Sequence, residues 1–183
     1  YPRSVDKLIL INSTTHKGYL IFKKDKNNAP ILTEGYKSKD ELATDPLQVK
    51  PILEAIATEN AFFMSYIYDL TIYTHNKPTP EANQLYIKET LKQRCLVDAD
   101  YARACLNMSD VPNLYTKGDG SIKNIKADTL MFWGTLDKTV PEYMVLDNLA
   151  ALPQAKYVKF EQCGHSPLVD KPDDLAKEIL KFI

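Results

Sequence analysis

The sequence predicts an α/β protein in which three parallel strands alternate with crossover helices, with a long helical segment inserted between the first two strands. Two short apolar runs, at residues 8–11 and 129–134, are typical of strands that are buried on both faces of a sheet. A third segment, residues 156–161, alternates apolar with charged side chains, which favours a strand near the sheet edge. One helical segment separates the last two strands and another follows them, which is the spacing of parallel crossover units.

Two helices are predicted to pack on this sheet. The first covers residues 141–153, with Pro141 in its first turn and Pro153 at its end. Its apolar stripe is predicted to consist of Leu146, Leu149 and Leu152. The second helix begins at Pro172, where two following aspartates favour a helix N-terminus. Its buried face is predicted to consist of Leu175, Ile179 and Phe182.

The middle of the chain has the character of a helical insertion. After a loop rich in lysine and asparagine, helices are predicted near residues 47–58, 60–73, 80–96 and 98–108. Thr79 followed by Pro80 marks one helix start, and Asp98 is a candidate N-cap of the last helix. We therefore divide the chain into a sheet core, residues 1–12 and 127–183, and a helical insertion, residues 13–126.

Composition narrows the classes of function. The 183 residues carry 23 basic and 24 acidic side chains, and the net charge of −1 offers no basic excess for binding nucleic acid or an anionic membrane. No apolar run approaches the roughly 20 residues of a membrane-spanning helix. The three cysteines have no regular spacing, which predicts reduced thiols and a cytoplasmic protein rather than a disulfide framework.

Two loops carry the residues with catalytic potential. Asp137 lies in the loop directly after the second strand, and His165 lies in the loop after the third. The carboxyl ends of neighbouring parallel strands meet at one edge of a sheet, where α/β proteins place their sites. A carboxylate that orients an imidazole and stabilises its protonated form supplies two members of a nucleophilic triad. The structural alternative is that Asp137 closes an Asx turn or caps a helix and that His165 is a packed loop histidine.

Four stretches resemble the α/β-hydrolase superfamily, in particular its lid-bearing esterase-, lipase- and peptidase-like branch. Residues 1–12, YPRSVDKLILIN, resemble the segment that forms the sixth strand of that family. Residues 125–141, IKADTLMFWGTLDKTVP, resemble the seventh strand and its acid loop. Residues 163–183, CGHSPLVDKPDDLAKEILKFI, resemble the histidine loop and the final helix. The insertion occupies the place of the family's lid, and the acid precedes the histidine as it does in the family.

The resemblance implies a hydrolase of the serine-nucleophile type that acts on an ester or a related acyl bond of a small molecule. Asp137 would be the triad acid and His165 the general base, while Gly164 would let the backbone approach closely beside the histidine. The resemblance implies neither a metal nor an organic cofactor. Aromatic side chains of the insertion, among them Phe62 and Tyr66, would line an apolar pocket or, alternatively, serve ordinary helix packing.

The nucleophile is the missing member of the triad. The six glycines include no pair four residues apart, which excludes a G-x-S-x-G elbow, and their spacing also excludes a P-loop or dinucleotide fingerprint. A complete core with this insertion needs about 290 residues, and the sequence starts at Tyr1 rather than Met. We therefore expect the nucleophile half to be absent from these residues. The first strand would then have an unprotected apolar edge, which pairs with that half or self-associates.

Three interpretations stay open. In the first, the chain is the C-terminal part of a serine hydrolase. In the second, it is a catalytically inactive, truncated module that binds or dimerises. In the third, it is part of a dehalogenase- or epoxide-hydrolase-like relative with an aspartate nucleophile, and the residue at the absent elbow distinguishes this from the first.

Other candidate residues carry weaker signals. Cys163, two residues before His165, is conceivable as a reactive thiol but is predicted to fill a small buried gap. His16 and His75 lie in polar loops without a partner at metal-ligand spacing and are predicted to be surface histidines. Ser13 follows the first strand, but no flanking glycine permits a strained nucleophile elbow, so we predict that it belongs to a loop wall of the pocket or to a turn.

Overall fold

The structure is a computed structural model that describes residues 4–183, so the first three residues of the predicted sheet core lie outside the described part. Its internal contacts divide the chain into two compact units. We call residues 4–16, 66–83 and 121–183 the sheet unit, and residues 17–65 and 84–120 the insert unit.

Strands and helices are both present in the two units. The strands are β1 (Lys7–Ile11), β2 (Phe22–Lys24), β3 (Pro30–Gly35), β4 (Asp128–Gly134) and β5 (Lys156–Phe160). The helices are α1 (Lys39–Leu42), α2 (Lys50–Ala57), α3 (Ala61–Thr71), α4 (Pro80–Thr90), α5 (Leu96–Cys105), α6 (Glu142–Ala151), α7 (Pro167–Asp170) and α8 (Pro172–Phe182). A 3₁₀ turn, Ser121–Asn124, precedes β4.

Three strands of the sheet unit form a parallel sheet in the order β1–β4–β5, in agreement with the predicted α/β class. β4 lies in the centre, and its residues from Thr129 onward are buried, as expected for a strand covered on both faces. β5 forms one edge, which confirms the position predicted from its alternating pattern. β1 differs from the prediction because its five residues are only half-buried. Among residues 4–183 it pairs with β4 alone, so its other edge has no strand partner there.

The core of the sheet unit joins β4 and β5 to the last helix. Phe132 stacks on Phe160 with ring centroids 5.4 Å apart, and Cys163 and Leu175 are buried in the same cluster. The other two residues of the predicted helix face also pack against it: Ile179 and Phe182. The buried face predicted for the last helix is therefore confirmed, and it holds α8 against the strand that leads into the histidine loop.

The face predicted for α6 is wrong in part. Pro141 precedes the helix as its N-cap residue, and the buried side chains of the helix are Met144, Val145 and Asn148. Leu146 is 48% exposed, whereas Leu152 is buried but lies just past the helix end. Residues three apart in an α-helix drift around the axis, so three leucines at that spacing do not keep to one face.

The insert unit contains a β-hairpin that the sequence did not predict. β2 and β3 are antiparallel, and the turn between them holds Asn28 at a φ of 64°. The Asp25 carboxylate closes this turn by accepting hydrogen bonds from the backbone N–H groups of Asn27 and Ala29. β2 has only 3 residues and β3 is mostly exposed, so their residue pattern does not differ from that of a polar loop.

The helices α2 to α5 lie within or close to the predicted ranges. α4 begins at Pro80, and the Thr79 hydroxyl accepts a hydrogen bond from the Ala82 N–H group, so the predicted helix start is confirmed. The predicted cap at Asp98 is wrong, because α5 begins at Leu96 and Asp98 lies in its first turn. A carboxylate at that position still interacts favourably with the helix dipole.

The two compact units divide the chain differently from the predicted boundaries. Residues 66–83 fall inside the predicted insertion but belong to the sheet unit. Hydrogen bonds account for this, since the Thr74 hydroxyl donates to the Leu136 carbonyl at 2.8 Å and the Thr139 hydroxyl donates to the Thr71 carbonyl at 3.3 Å. The role of the insertion as a lid stays a prediction. Within the described part of the chain, none of the helices has the length and apolar character needed to cross a bilayer.

Candidate active site

The candidate site lies in the loops that follow β4 and β5. The two strands are parallel, and Gly134 at the end of β4 pairs with Phe160 at the end of β5. Asp137 lies three residues past β4, and His165 lies five residues past β5. Because the two loops start at the same level of the sheet, their side chains reach the same carboxyl edge.

The structure brings the two predicted residues into contact. Asp137 Oδ2 and His165 Nδ1 are 2.9 Å apart. The Asp137 side chain is completely buried, whereas 26% of the His165 side chain is exposed. This exposure leaves part of the imidazole open to a reacting group while its carboxylate partner is shielded from water.

The Asp137 carboxylate has a second set of partners that fix its orientation. Its Oδ1 atom accepts hydrogen bonds from the backbone N–H groups of Thr139, at 2.7 Å, and Val140, at 2.9 Å. This is an Asx-type turn, so the structural role considered for Asp137 is present. It uses Oδ1 and leaves Oδ2 for the histidine, so the turn and the Asp–His contact occur together.

Backbone hydrogen bonds join the acid loop to the histidine loop. The Leu136 N–H group donates to the Cys163 carbonyl at 2.8 Å, and the Thr135 N–H group donates to the Phe160 carbonyl at 3.0 Å. The Asp137 N–H group donates to the Gly134 carbonyl at 3.0 Å, which turns the acid loop back on its strand. The Asp137 and His165 side chains therefore extend from backbone that is already held together.

Gly134 permits the close approach of the two loops, and Gly164 permits the close approach of the segment 72–74 to the histidine loop. A Cβ atom at Gly134 would lie 2.4 Å from the Cys163 carbonyl oxygen. A Cβ atom at Gly164, the residue before His165, would lie 2.2 Å from Thr74 Oγ1. Real Cβ atoms essentially never approach that closely, so both positions need glycine for steric reasons.

Two buried polar residues beside the site were not singled out from the sequence. Asn12 follows β1 with a φ of 44° and is 5% exposed, and its side-chain amide contacts the backbone of Gly134 and Gly164. Asp170, which is 8% exposed, accepts a hydrogen bond from the Gly164 N–H group. The available signal was an asparagine at a strand end and an aspartate five residues after His165, and neither type is unusual near a turn.

The structure shows how far the weaker candidate residues are buried. Cys163 is fully buried, as predicted, and burial together with the charge of Asp170 raises the pKa of its thiol to about 12. His75 is exposed, as predicted. The prediction for His16 is wrong, because it is only 9% exposed and its backbone N–H group donates to Asn148 Oδ1 at 2.6 Å. The loop after β1 folds back onto α6 there, which the sequence did not indicate.

Ser13 is half-buried in the same loop, and its hydroxyl donates to the adjacent Thr14 carbonyl at 3.2 Å, as in a local turn. Among residues 4–183, no group of three or more histidine, cysteine, aspartate or glutamate side chains is arranged to hold a metal ion.

A comparison with known protein families identifies the family of the chain. A family model described as the alpha/beta hydrolase fold matches residues 1–172. The chain belongs to the α/β-hydrolase fold family. The parallel sheet of three strands, with the acid and histidine loops at its carboxyl edge, agrees with that assignment. The resemblance inferred from the sequence is confirmed at this level.

Curated relatives within the hydrolase family match at low identity. The 2-hydroxy-6-oxononadienedioate/2-hydroxy-6-oxononatrienedioate hydrolase of Cupriavidus pinatubonensis is 26% identical over 164 residues, which are 90% of this chain and 48% of that protein. The enzyme of the same name from Paraburkholderia phymatum is 25% identical over 183 residues, which are 100% of this chain and 55% of that protein. The chain spans about half the length of the curated relatives it matches.

Solved structures agree on the fold. An esterase from Exiguobacterium antarcticum superimposes with a TM-score of 0.62 at 16% identity, covering 97% of this chain and 57% of that one. An esterase from Rhodococcus gives a TM-score of 0.57 at 16% identity, covering 99% of this chain and 56% of that one. At this identity the similarity establishes the hydrolase fold and leaves the substrate open.

Proposed function

We propose that Asp137 and His165 are the acid and the general base of a hydrolase that cleaves an ester or a related acyl bond. The observation that carries the proposal is the 2.9 Å contact between Asp137 Oδ2 and His165 Nδ1, with the carboxylate fully buried and the imidazole partly exposed. A buried carboxylate that orients an accessible imidazole is the arrangement that activates a hydroxyl nucleophile.

The proton positions follow from the contact. A carboxylate oxygen only accepts, so Nδ1 of His165 carries the proton that it donates to Asp137. The neutral imidazole then presents Nε2 as an acceptor, which can take the proton of an attacking hydroxyl and later return it to the leaving group. Asp137 stays ionised and stabilises the imidazolium that forms between these two steps.

We propose further that the nucleophile comes from polypeptide outside these 183 residues and that β1 pairs with a strand of that polypeptide. The absence of a G-x-S-x-G elbow, the free edge of β1 among the described residues and the half-length coverage of the relatives support this proposal. The other two interpretations, an inactive binding module and an aspartate-nucleophile relative, are alternatives that the same experiment separates.

The test measures ester hydrolysis by the full-length protein that contains these residues. With p-nitrophenyl butyrate as substrate, we expect His165→Ala and Asp137→Asn each to lower kcat by at least about 1,000-fold. Matched controls are His75→Ala and Asp173→Asn, which alter exposed residues of the same types. Near-normal turnover in the His165 and Asp137 variants would refute the assignment.

A covalent probe identifies the nucleophile class. A fluorophosphonate forms a stable adduct with an activated serine, and peptide mass spectrometry locates it. A labelled serine supports the serine hydrolase. Turnover without labelling supports an aspartate nucleophile, and the absence of both turnover and labelling supports the inactive module.

A second candidate reaction is hydrolysis of a 2-hydroxy-6-oxo-dienedioate, which breaks a carbon–carbon bond. The names of the two relatives at 26% and 25% identity favour it. The same acid and base would serve, because this bond cleavage also requires proton transfer at the reacting carbon chain. Comparing kcat/KM for 2-hydroxy-6-oxonona-2,4-dienedioate with kcat/KM for p-nitrophenyl butyrate decides between the two, and the substrate with the higher value identifies the bond that the enzyme is adapted to cleave.

A further inference from the structure

We propose that Asn12 and Asp170 are positioning residues that set the His165 imidazole against Asp137 by holding the backbone of Gly164 from both sides. This inference rests on the proposed function, because it concerns the same Asp137–His165 pair. Neither residue touches the reacting atoms, so their effect passes through the backbone next to His165.

Asn12 holds the carbonyl side of Gly164. Its Nδ2 group donates to the Gly164 carbonyl oxygen at 2.9 Å, while its Oδ1 atom accepts the Gly134 N–H group at 3.1 Å. Its own backbone N–H group continues the sheet by donating to the Phe132 carbonyl at 3.0 Å. One residue at the end of β1 thus contacts the end of β4 and the histidine loop.

The orientation of the Asn12 amide is dictated by its partners. A backbone N–H group faces one end of the amide and a backbone carbonyl faces the other, so only an amide supplies both a donor and an acceptor there. An aspartate of the same shape would place a carboxylate oxygen against the Gly164 carbonyl. Asparagine also tolerates the left-handed backbone at φ 44° better than most residues.

Asp170 holds the N–H side of Gly164. Its Oδ2 atom accepts the Gly164 N–H group at 2.6 Å, and its Oδ1 atom accepts the Asn76 N–H group at 2.7 Å. The first of these bonds closes a short loop with His165 inside it, and the second joins that loop to the segment that contains Asn76. The N–H group and the carbonyl group of Gly164 are therefore both hydrogen-bonded to side chains that are themselves more than nine-tenths buried.

We call Asn12 and Asp170 the clamp, and it acts one residue away from the proposed base, His165. Asn12 holds Gly134, three residues before Asp137, and together with Asp170 it holds Gly164, directly before His165. A rigid support at this distance limits how far the imidazole can move from the carboxylate. A displacement on the order of 1 Å at a reacting group lowers the rate by about 100-fold.

Three variants test the clamp in the full-length protein. Asn12→Gly removes both hydrogen bonds of the side-chain amide without straining the backbone, because glycine accepts a positive φ. Asn12→Asp keeps the shape and loses the donor, and Asp170→Asn leaves one acceptor for two N–H groups. The controls are Asn28→Gly, which makes the same exchange at a φ of 64° in the hairpin turn, and Asp173→Asn, an exposed carboxylate in the first turn of α8.

Two readouts separate positioning from simple stabilisation. We expect the three variants to lower kcat by about 10- to 100-fold with KM changed less than about threefold, because the base acts in the transition state. We also expect the downfield NMR resonance of the proton shared by His165 and Asp137, identified by its loss in His165→Ala, to shift or broaden. The controls should change neither quantity. All assays are run well below each variant's thermal unfolding transition.

Both readouts must change together, because a merely structural role would leave the resonance of folded protein unaltered. Lower kcat together with an altered resonance in the folded fraction supports the positioning role of Asn12 and Asp170. An unchanged kcat or an unchanged resonance in the folded fraction would overturn it, because the residues would then be structural only. If His165→Ala and Asp137→Asn retain full activity, the proposed function fails first, and the resonance alone still reports whether Asn12 and Asp170 hold the imidazole.

Discussion

Replacing Gly164 with alanine tests how closely packing and chemistry are linked at this site. The added Cβ atom would lie 2.2 Å from Thr74 Oγ1 and 3.1 Å from the Ile72 carbonyl oxygen, against 3.4–4 Å for an ordinary contact. The Thr74 hydroxyl or the backbone around Gly164 must therefore move by about 1 Å. The φ of Gly164 lies outside the left-handed region, so the cost is steric rather than conformational.

The size of the effect follows from this overlap. Overpacking of this kind lowers the free energy of unfolding by about 1–3 kcal/mol. A shift of about 1 Å beside His165 would lower kcat by about 100-fold. Both changes should be visible in the full-length protein, by urea unfolding followed through far-ultraviolet circular dichroism and by steady-state hydrolysis.

A double variant isolates the cause. Thr74→Ala removes the hydroxyl that collides with the new Cβ, although it also loses the 2.8 Å hydrogen bond to the Leu136 carbonyl, worth about 1 kcal/mol. In Gly164→Ala/Thr74→Ala we expect part of the lost stability and activity to return, with a coupling free energy of about 1 kcal/mol. Recovery is partial because the Ile72 contact at 3.1 Å remains. Full stability in the single variant, or no coupling in the double variant, would refute the steric argument.

Three further predictions concern buried ionisable groups. Asp45 is completely buried and pairs with the Lys24 ammonium group at 2.9 Å, so Asp45→Ala should lower the free energy of unfolding by about 3–5 kcal/mol in urea titrations, and a loss below about 1 kcal/mol would contradict this. Burial by itself would raise the pKa of Asp45, but hydrogen bonds from the Gln48 N–H group and from Lys24 lower it below its ordinary value of 3.8. The resulting stabilisation is fully present above pH 3.8 and is lost as the pH falls through the lower folded value, so Asp45→Asn should narrow the stability difference between neutral and acidic pH; an unchanged acid transition would argue against it. Cys163, whose pKa is raised to about 12 by burial, should resist iodoacetamide in the native protein while exposed Cys95 reacts, and equal labelling rates by mass spectrometry would show that the thiol is accessible.

The sheet could be predicted because the pattern of apolar residues in a strand reflects which of its faces are buried. β4 is covered on both faces, and its continuous apolar run reflects that directly. The face of α8 followed from residues spaced by four and three, which fall on one side of a helix. The Asp137–His165 pair followed from the order of strands and loops, since parallel neighbours end at the same edge.

The hairpin and the supports of the site could not be predicted, and the reasons are physical. β2 and β3 bury few side chains, so periodicity does not distinguish them from a loop. Asn12 acts through contacts with Gly134 and Gly164, more than 120 residues away in sequence. Such contacts depend on tertiary structure, and the local sequence contains only an asparagine after a strand.

The geometry of the Asp137–His165 pair is a consequence of strand register. Pairing of Gly134 with Phe160 starts both loops at one level, and the hydrogen bond from the Leu136 N–H group to the Cys163 carbonyl then draws them together. From that bond, one residue remains to Asp137 and two remain to His165. A shift of β5 by one residue would move that carbonyl and reverse the faces of the strand, so the buried core of β4 and β5 also fixes the distance between the carboxylate and the imidazole. The same side chains that stabilise the sheet thereby determine where the His165 imidazole lies relative to the Asp137 carboxylate.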